Sequence, residues 1–155
     1  YNAGTFTMTG GEISGNKPNY GQVEGGAYLG GRGGGVYVAD NAQFTLSGGT
    51  IFGNDASYGG GVAVVENGSF IMEGGTIAGN TAQHGAGVHA YNNPTFKKTD
   101  GTIYGQDAGA PNWNRASSSP YFGHVARCSP GTKTRNDTAD SEVDLDISTD
   151  ENWGI

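Results

Sequence analysis

Two carboxylates and a lysine are the residues of this sequence most suited to acid–base chemistry. Glu73 and Asp100 fall on neighbouring copies of a repeat, and Lys97 lies three residues before Asp100. Inverting glycoside hydrolysis uses two carboxylates held about 6.5–9.5 Å apart. The position of Glu73 points outward and Asp100 sits where the repeat degenerates, which is more typical of solvated surface charge. We therefore predict no catalytic residue.

The histidines and the cysteine do not form a pattern typical of a metal or nucleophile site. His84, His89 and His124 occupy different positions of the repeat, so neither a shared metal ion nor a Ser-His-Asp triad is expected. The single cysteine, Cys128, permits neither a disulfide nor a cysteine-based metal site. Glycine pairs lie at strand ends and open no helix, which excludes a phosphate-binding loop. We expect no metal and no cofactor.

Aromatic side chains supply the candidate binding site. Counted four residues past a recurrent asparagine, the chain carries Tyr20, Tyr58 and His84 in successive copies. Flat rings stack on the apolar faces of sugars, and amides satisfy sugar hydroxyls. The sequence predicts either a groove for a glycan or a cell-surface protein, or long loops that bury these rings locally. The candidate residues are Tyr20, Tyr28, Tyr58, His84, Trp113 and Tyr121.

A repeat of 26 residues positions these side chains. Three sets recur at this spacing: Phe44, Phe70 and Phe96; Val36, Val62 and Val88; and Ile51, Ile77 and Ile103. A partial earlier copy contains Phe6, 38 residues before Phe44, and Val125 follows Val88 by 37 residues. A fixed period of this length indicates a stacked architecture.

Within each copy, apolar and polar residues alternate over short runs, which predicts strands. Three short strands are expected per copy, with glycine pairs and Asn-Asp steps supplying positive φ angles at the corners. We predict an all-β chain, a right-handed parallel β-helix of about four coils with a C-terminal cap. A β-sandwich is the alternative, but it requires no 26-residue spacing. One corner is expected to carry an amide ladder of Asn16, Asn54, Asn80 and Gln106.

The predicted coils cover residues 1–128, and residues 129–155 form the cap with an edge strand at 143–147. Insertions at 17–33 and 107–123 both leave the coil just after the ladder position. The first coil lacks its "GVYV" strand, so either further repeats precede Tyr1 in a longer parent protein or another molecule pairs there. End-to-end self-association is then possible. The absence of an initial Met indicates a processed or excised fragment.

Charge argues against two classes of partner. The chain has 8 Lys and Arg against 15 Asp and Glu, a formal net charge of −7. The longest run of basic residues is the pair Lys97 and Lys98. Nucleic acid and anionic membranes are therefore not expected as partners. No apolar run approaches the length of a membrane span.

The segments "GGGVYV", "FTLSGGTIFGN" and "FIMEGGTIAGNTA" resemble the glycine-rich repeats of large bacterial surface proteins of the adhesin, autotransporter or lipoprotein type. The resemblance covers about residues 4–106 and implies a pectate-lyase-like right-handed parallel β-helix. It also implies an extracellular or cell-surface location, and no catalytic residues. We expect a non-enzymatic adhesin segment, rigid stalk or self-assembling fibre subunit. The alternative is a carbohydrate-active β-helix that binds or cleaves polysaccharide.

Overall fold

The computed structural model describes residues 4–18, 21–22, 28–29, 31–92, 94–105, 110–117, 125–128 and 132–135. Every helix or strand in these ranges is a β-strand. In chain order they are β1 (Thr5–Ser14), β2 (Gly21–Gln22), β3 (Tyr28–Leu29), β4 (Val36–Val38), β5 (Gln43–Phe52), β6 (Asp55–Tyr58), β7 (Val62–Val65), β8 (Ser69–Ala78), β9 (Thr81–His84), β10 (Val88–Tyr91), β11 (Thr95–Ile103), β12 (Arg115–Ala116), β13 (Val125–Cys128) and β14 (Thr132–Arg135).

The strands form three parallel sheets and one small antiparallel pair. Sheet 1 has the order β1-β5-β8-β11-β14, sheet 2 has β13-β10-β7-β4, and sheet 3 has β12-β9-β6. The pair β2-β3 lies within the first insertion. Strands pair with their copies 26 residues away, as in Phe44 with Phe70 and Phe70 with Phe96. The predicted all-β class and the parallel pairing between copies are confirmed.

The strands divide each copy differently from the prediction. The second and third predicted strands are one strand of 10 residues, such as β5, which bends at Gly49 with φ of 90°. A Cβ at Gly49 would lie 2.7 Å from the carbonyl oxygen of Gly11, so only glycine permits this approach. The strands of sheet 3 were missed because alanine, at Ala56 and Ala82, fills their buried positions. So small a side chain gives a weak signal of alternation.

Stacked side chains of like type form the core. The rings of Phe44, Phe70 and Phe96 are stacked with centroids 5.1 and 5.2 Å apart, close to the spacing of about 4.8 Å between paired strands. All three rings are buried, whereas Phe6 on the edge strand β1 is 49% exposed. Lys98 is also buried, at the position that Leu46 and Met72 occupy in the preceding copies. Burial of these columns is the main source of stability.

Two kinds of turn join the sheets. Between sheets 2 and 1, the pairs Asp40-Asn41 and Glu66-Asn67 have φ of 52–63°. Between sheets 3 and 2, Gly59 has φ of 66°, and a Cβ there would collide with the carbonyl of Val62. Positive φ is uncommon outside glycine, asparagine and aspartate, which explains the residue choice at these corners.

The end of the described chain adds one strand to each of two sheets. Val125 pairs with Val88, as the 37-residue offset predicted. Thr132 pairs with Thr95, so β14 extends sheet 1 within the range predicted to form the cap. The predicted strand 143–147 lies outside the described residues.

Candidate functional site

A buried hydrogen-bonded ladder of asparagines marks the corner between sheets 1 and 3. Both the backbone N and Nδ2 of Asn54 donate to Oδ1 of Asn80, at 2.9 and 3.0 Å. Asn16 donates to Asn54 in the same way, and Asn80 donates to Asn114. Each Nδ2 gives its second hydrogen to a backbone carbonyl, as from Asn80 to Ile51 at 3.1 Å. Asn54, Asn80 and Asn114 are fully buried, so the ladder satisfies polar groups that burial would otherwise penalise.

The fourth member of the ladder is Asn114 and not Gln106 as predicted. Asn80 follows Ile77 by three residues, whereas Asn114 follows Ile103 by eleven. Much of the second insertion therefore precedes the ladder position instead of following it, and Gln106 lies outside the described residues. The loop is held where the backbone N of Gly79 donates to Asn112 O at 2.7 Å.

A short motif could have identified this member of the ladder. Asn-x-Ala occurs at Asn54, Asn80 and Asn114, with the alanine buried in sheet 3 each time. The prediction instead counted forward from the preceding isoleucine. That count fails wherever residues are inserted between the isoleucine and the asparagine.

The predicted aromatic groove is only partly assembled. Tyr58 and His84 stack with centroids 5.0 Å apart and an interplanar angle of 14°. Trp113 precedes the ladder residue Asn114, whereas His84 lies four residues past its own ladder residue, a distance of about 13 Å along a strand. Tyr28 belongs to β3. Tyr20 and Tyr121 lie outside the described residues.

Arg32 occupies the position beside Tyr58 that the prediction assigned to Tyr20. Arg32 pairs with Tyr58 through an isolated parallel bridge, and its guanidinium carbon lies 5.9 Å from the centroid of the Tyr58 ring. Gly33 N donates to Tyr58 O at 2.9 Å, which fixes the backbone there. Counting back from the following Gly-Gly-Gly-Val segment would have aligned Arg32 with Tyr58. The first insertion removed that alignment when the count began at Asn16.

The described residues Arg32, Tyr58, His84, His89 and Tyr91 line a pocket of about 290 Å³, which we call the Tyr58 pocket. His89 lies 5.2 Å from Tyr58, tilted by 59°, and 6.3 Å from Tyr91. His89 is buried, whereas Tyr91 is 46% exposed. The pocket therefore has a buried imidazole as one wall and an exposed phenol ring at its mouth.

The turn between β9 and β10 brings the two histidines to the same pocket. His84 ends β9 and His89 is the second residue of β10. A Cβ on Gly85 would lie 2.9 Å from the Cβ of His89, so glycine permits this close approach. The sequence treatment separated the histidines because they occupy different positions of the repeat, but the two positions meet across this turn.

Comparisons with family models, curated proteins and solved structures found no match to this chain. The function is therefore argued from the geometry of the described residues.

The candidate carboxylates lie on the outer face of sheet 1. Asp100 pairs in register with Glu73, and both side chains and that of Lys97 are exposed. Ser47 Oγ donates to Glu73 at 3.1 Å, and Gly101 N donates to Asp100 at 2.7 Å. These are local contacts of solvated groups, and they give the carboxylates no enclosed site for a substrate.

Two searches of the described ranges bear on other classes of site. There, no three His, Cys, Asp or Glu side chains come together in a group that could hold a metal ion. Across the same ranges, no helix has the length and apolar character needed to span a membrane.

Proposed function

We propose that this chain is a right-handed parallel β-helix that serves as a non-enzymatic, rigid segment of a secreted or cell-surface protein. The role would be that of a stalk, an adhesin segment or a fibre subunit. The observation that carries the proposal is the stacking of like residues in successive copies. The phenylalanine rings and the ladder asparagines each contact their own copy in the next strand.

The order of the strands supports the β-helix. Each described copy visits sheet 2, sheet 1 and sheet 3 in the same sequence, as β4, β5 and β6 and then as β7, β8 and β9. Parallel crossovers of this kind are right-handed in the great majority of proteins. A coil that contacts only its neighbours makes a structure whose length grows with the number of copies. This property suits a rigid spacer.

The edge strand β1 supports end-to-end association. It pairs with β5 on one side only, and the Phe6 ring at the end of the phenylalanine column is 49% exposed. Unpaired strand edges readily accept another strand of matching pattern. A coil of the same kind, from a longer parent chain or from a second molecule, would continue both the sheet and the column.

The carbohydrate-active alternative divides into two parts. Cleavage would need a pair of carboxylates in an enclosed site, whereas Glu73 and Asp100 are exposed on an open sheet face. Binding without cleavage needs only a pocket with oriented polar groups, and the Tyr58 pocket is the feature that favours it.

Location and assembly are tested separately. An antibody raised against the chain should label intact producing cells or their medium without permeabilisation, and labelling only after permeabilisation would contradict the proposal. For assembly, sedimentation of the chain should show association that Phe6→Lys abolishes. Tyr37→Lys is the matched control, because Tyr37 is 50% exposed but lies outside the phenylalanine column. A monomer at every concentration would exclude the fibre role.

A further inference from the structure

The Tyr58 pocket is an island of positive charge on an acidic protein. The chain carries 15 acidic against 8 basic residues, yet the described lining contains one arginine, two histidines and no carboxylate. The acid at the start of the same strand, Asp55, forms a salt bridge with Lys17 at 2.6 Å. A locally positive concave site surrounded by negative surface attracts and orients an anion.

Arg32 has the geometry for binding a carboxylate. Its side chain is exposed, and its guanidinium lies over one side of the Tyr58 ring while His84 stacks on the other. The aromatic contact limits the side-chain freedom that would otherwise be lost on binding. The planar fork of donors on arginine matches the two oxygens of a carboxylate. One permanent positive charge suits a monoanion better than a phosphate dianion.

The size and walls of the pocket indicate that the ligand is more than a bare anion. A volume of about 290 Å³ is close to the lower limit of typical small-ligand pockets, about 300 Å³. This space admits one ring with its substituents. Both faces of Tyr58 are already covered, so the surface on which a ring can pack is the exposed phenol of Tyr91.

We propose that the Tyr58 pocket binds a small carboxylate whose acid group is attached to a ring. Arg32 binds the acid group, the imidazoles of His84 and His89 donate to its remaining acceptor sites, and Tyr91 packs against the ring. The ring can be that of a sugar acid or of an aromatic acid, because both combine the same charge with a flat face. This site is independent of the proposed stalk role, so either proposal can fail without the other.

The test is a titration of the full chain followed by NMR, with glucuronate and benzoate as the two ringed acids. Glucose supplies a ring without charge, and acetate supplies the charge without a ring. At least one ringed acid should bind about tenfold more tightly than glucose and acetate, which corresponds to about 1.4 kcal/mol. It should shift the imidazole signals of His84 and His89. Which acid binds distinguishes the sugar from the aromatic source.

Matched variants assign the effect to the pocket. Arg32→Gln should weaken binding of the ringed acid about tenfold, whereas Arg115→Gln, at another exposed arginine, should leave it unchanged. Tyr91→Ala should reduce the ringed acid to the affinity of acetate, whereas Tyr37→Ala should not. Equal binding of acetate, equal binding of glucose, equal effects of the two arginine variants, or no binding at all would each overturn the proposal.

Discussion

Replacement of Asn80 by aspartate is the sharpest test of the amide ladder. The two side chains have the same shape, but aspartate lacks the Nδ2 hydrogens. In the structure those hydrogens are donated to Oδ1 of Asn114 at 2.8 Å and to the carbonyl of Ile51 at 3.1 Å. In the variant an acceptor oxygen would face two other acceptors in a fully buried position.

The expected loss follows from this geometry. Two buried hydrogen bonds are lost, each worth about 1 kcal/mol net, and burying an unsatisfied charged group costs a further 1–3 kcal/mol or so. The other carboxylate oxygen still accepts from both nitrogens of Asn54, which offsets part of the cost. We expect Asn80→Asp to lower the free energy of unfolding by about 3–5 kcal/mol at pH 7.

The loss should depend on pH in a defined direction. Burial and the two facing oxygens raise the pKa of the introduced carboxyl above its ordinary value of about 3.9. The folded variant then binds more protons than the unfolded chain between that value and the raised pKa, so its stability falls as pH rises through this window. The protonated acid can donate one hydrogen bond, and the deficit relative to the native chain should therefore be smaller at pH 4 than at pH 7.

Urea denaturation at both pH values measures these differences. Asn16→Asp is the matched control, because Asn16 makes the same contacts to Asn54 at the exposed end of the ladder. It should cost less than about 1.5 kcal/mol, since its carboxylate remains hydrated. Equal losses for the two variants at pH 7, or a larger Asn80→Asp deficit at pH 4, would refute the reasoning.

Three further predictions concern the columns, the turns and the surface. Phe70→Ala should lower the free energy of unfolding by about 3–5 kcal/mol in urea denaturation, and Phe6→Ala by much less because Phe6 has one ring neighbour and is half exposed. Gly59→Ala should destabilise more than Gly53→Ala, since both have positive φ but only Gly59 has backbone atoms where the Cβ would lie; equal melting temperatures would contradict this. Lys17→Ala should change stability by less than about 1 kcal/mol, and less still at high salt, because its ion pair with an aspartate is largely exposed.

Much of the strand pairing could be predicted from the sequence. Phe44, Phe70 and Phe96 recur at a fixed interval because each must pack against its own copy, and that constraint is directly visible as a period. The same constraint predicted that Val125 would pair with Val88 across a longer interval. Positions whose physical role requires one residue type in every copy are therefore the ones that a repeat reveals.

The features that were missed lie where alignment or side-chain size gives little signal. The strands of sheet 3 are marked only by alanines, and an insertion displaced the count that should have reached Asn114. The Tyr58 pocket could not be predicted because its members belong to different positions of the repeat. Arg32 comes from the end of an insertion, and His89 meets Tyr58 across a turn.

The two faces of the sheets carry different constraints, and this determines where function can reside. An inward side chain contacts its own copy above and below, so a change of shape in one copy disturbs two neighbours. The outward positions of sheet 2 hold Tyr37, Ala63 and His89 in register, three side chains of different size and chemistry. Such positions can vary without disrupting a column. Recognition therefore concentrates where the copies differ, and substitutions at Arg32 and Tyr91 should alter binding while leaving the stability of the stacked core intact.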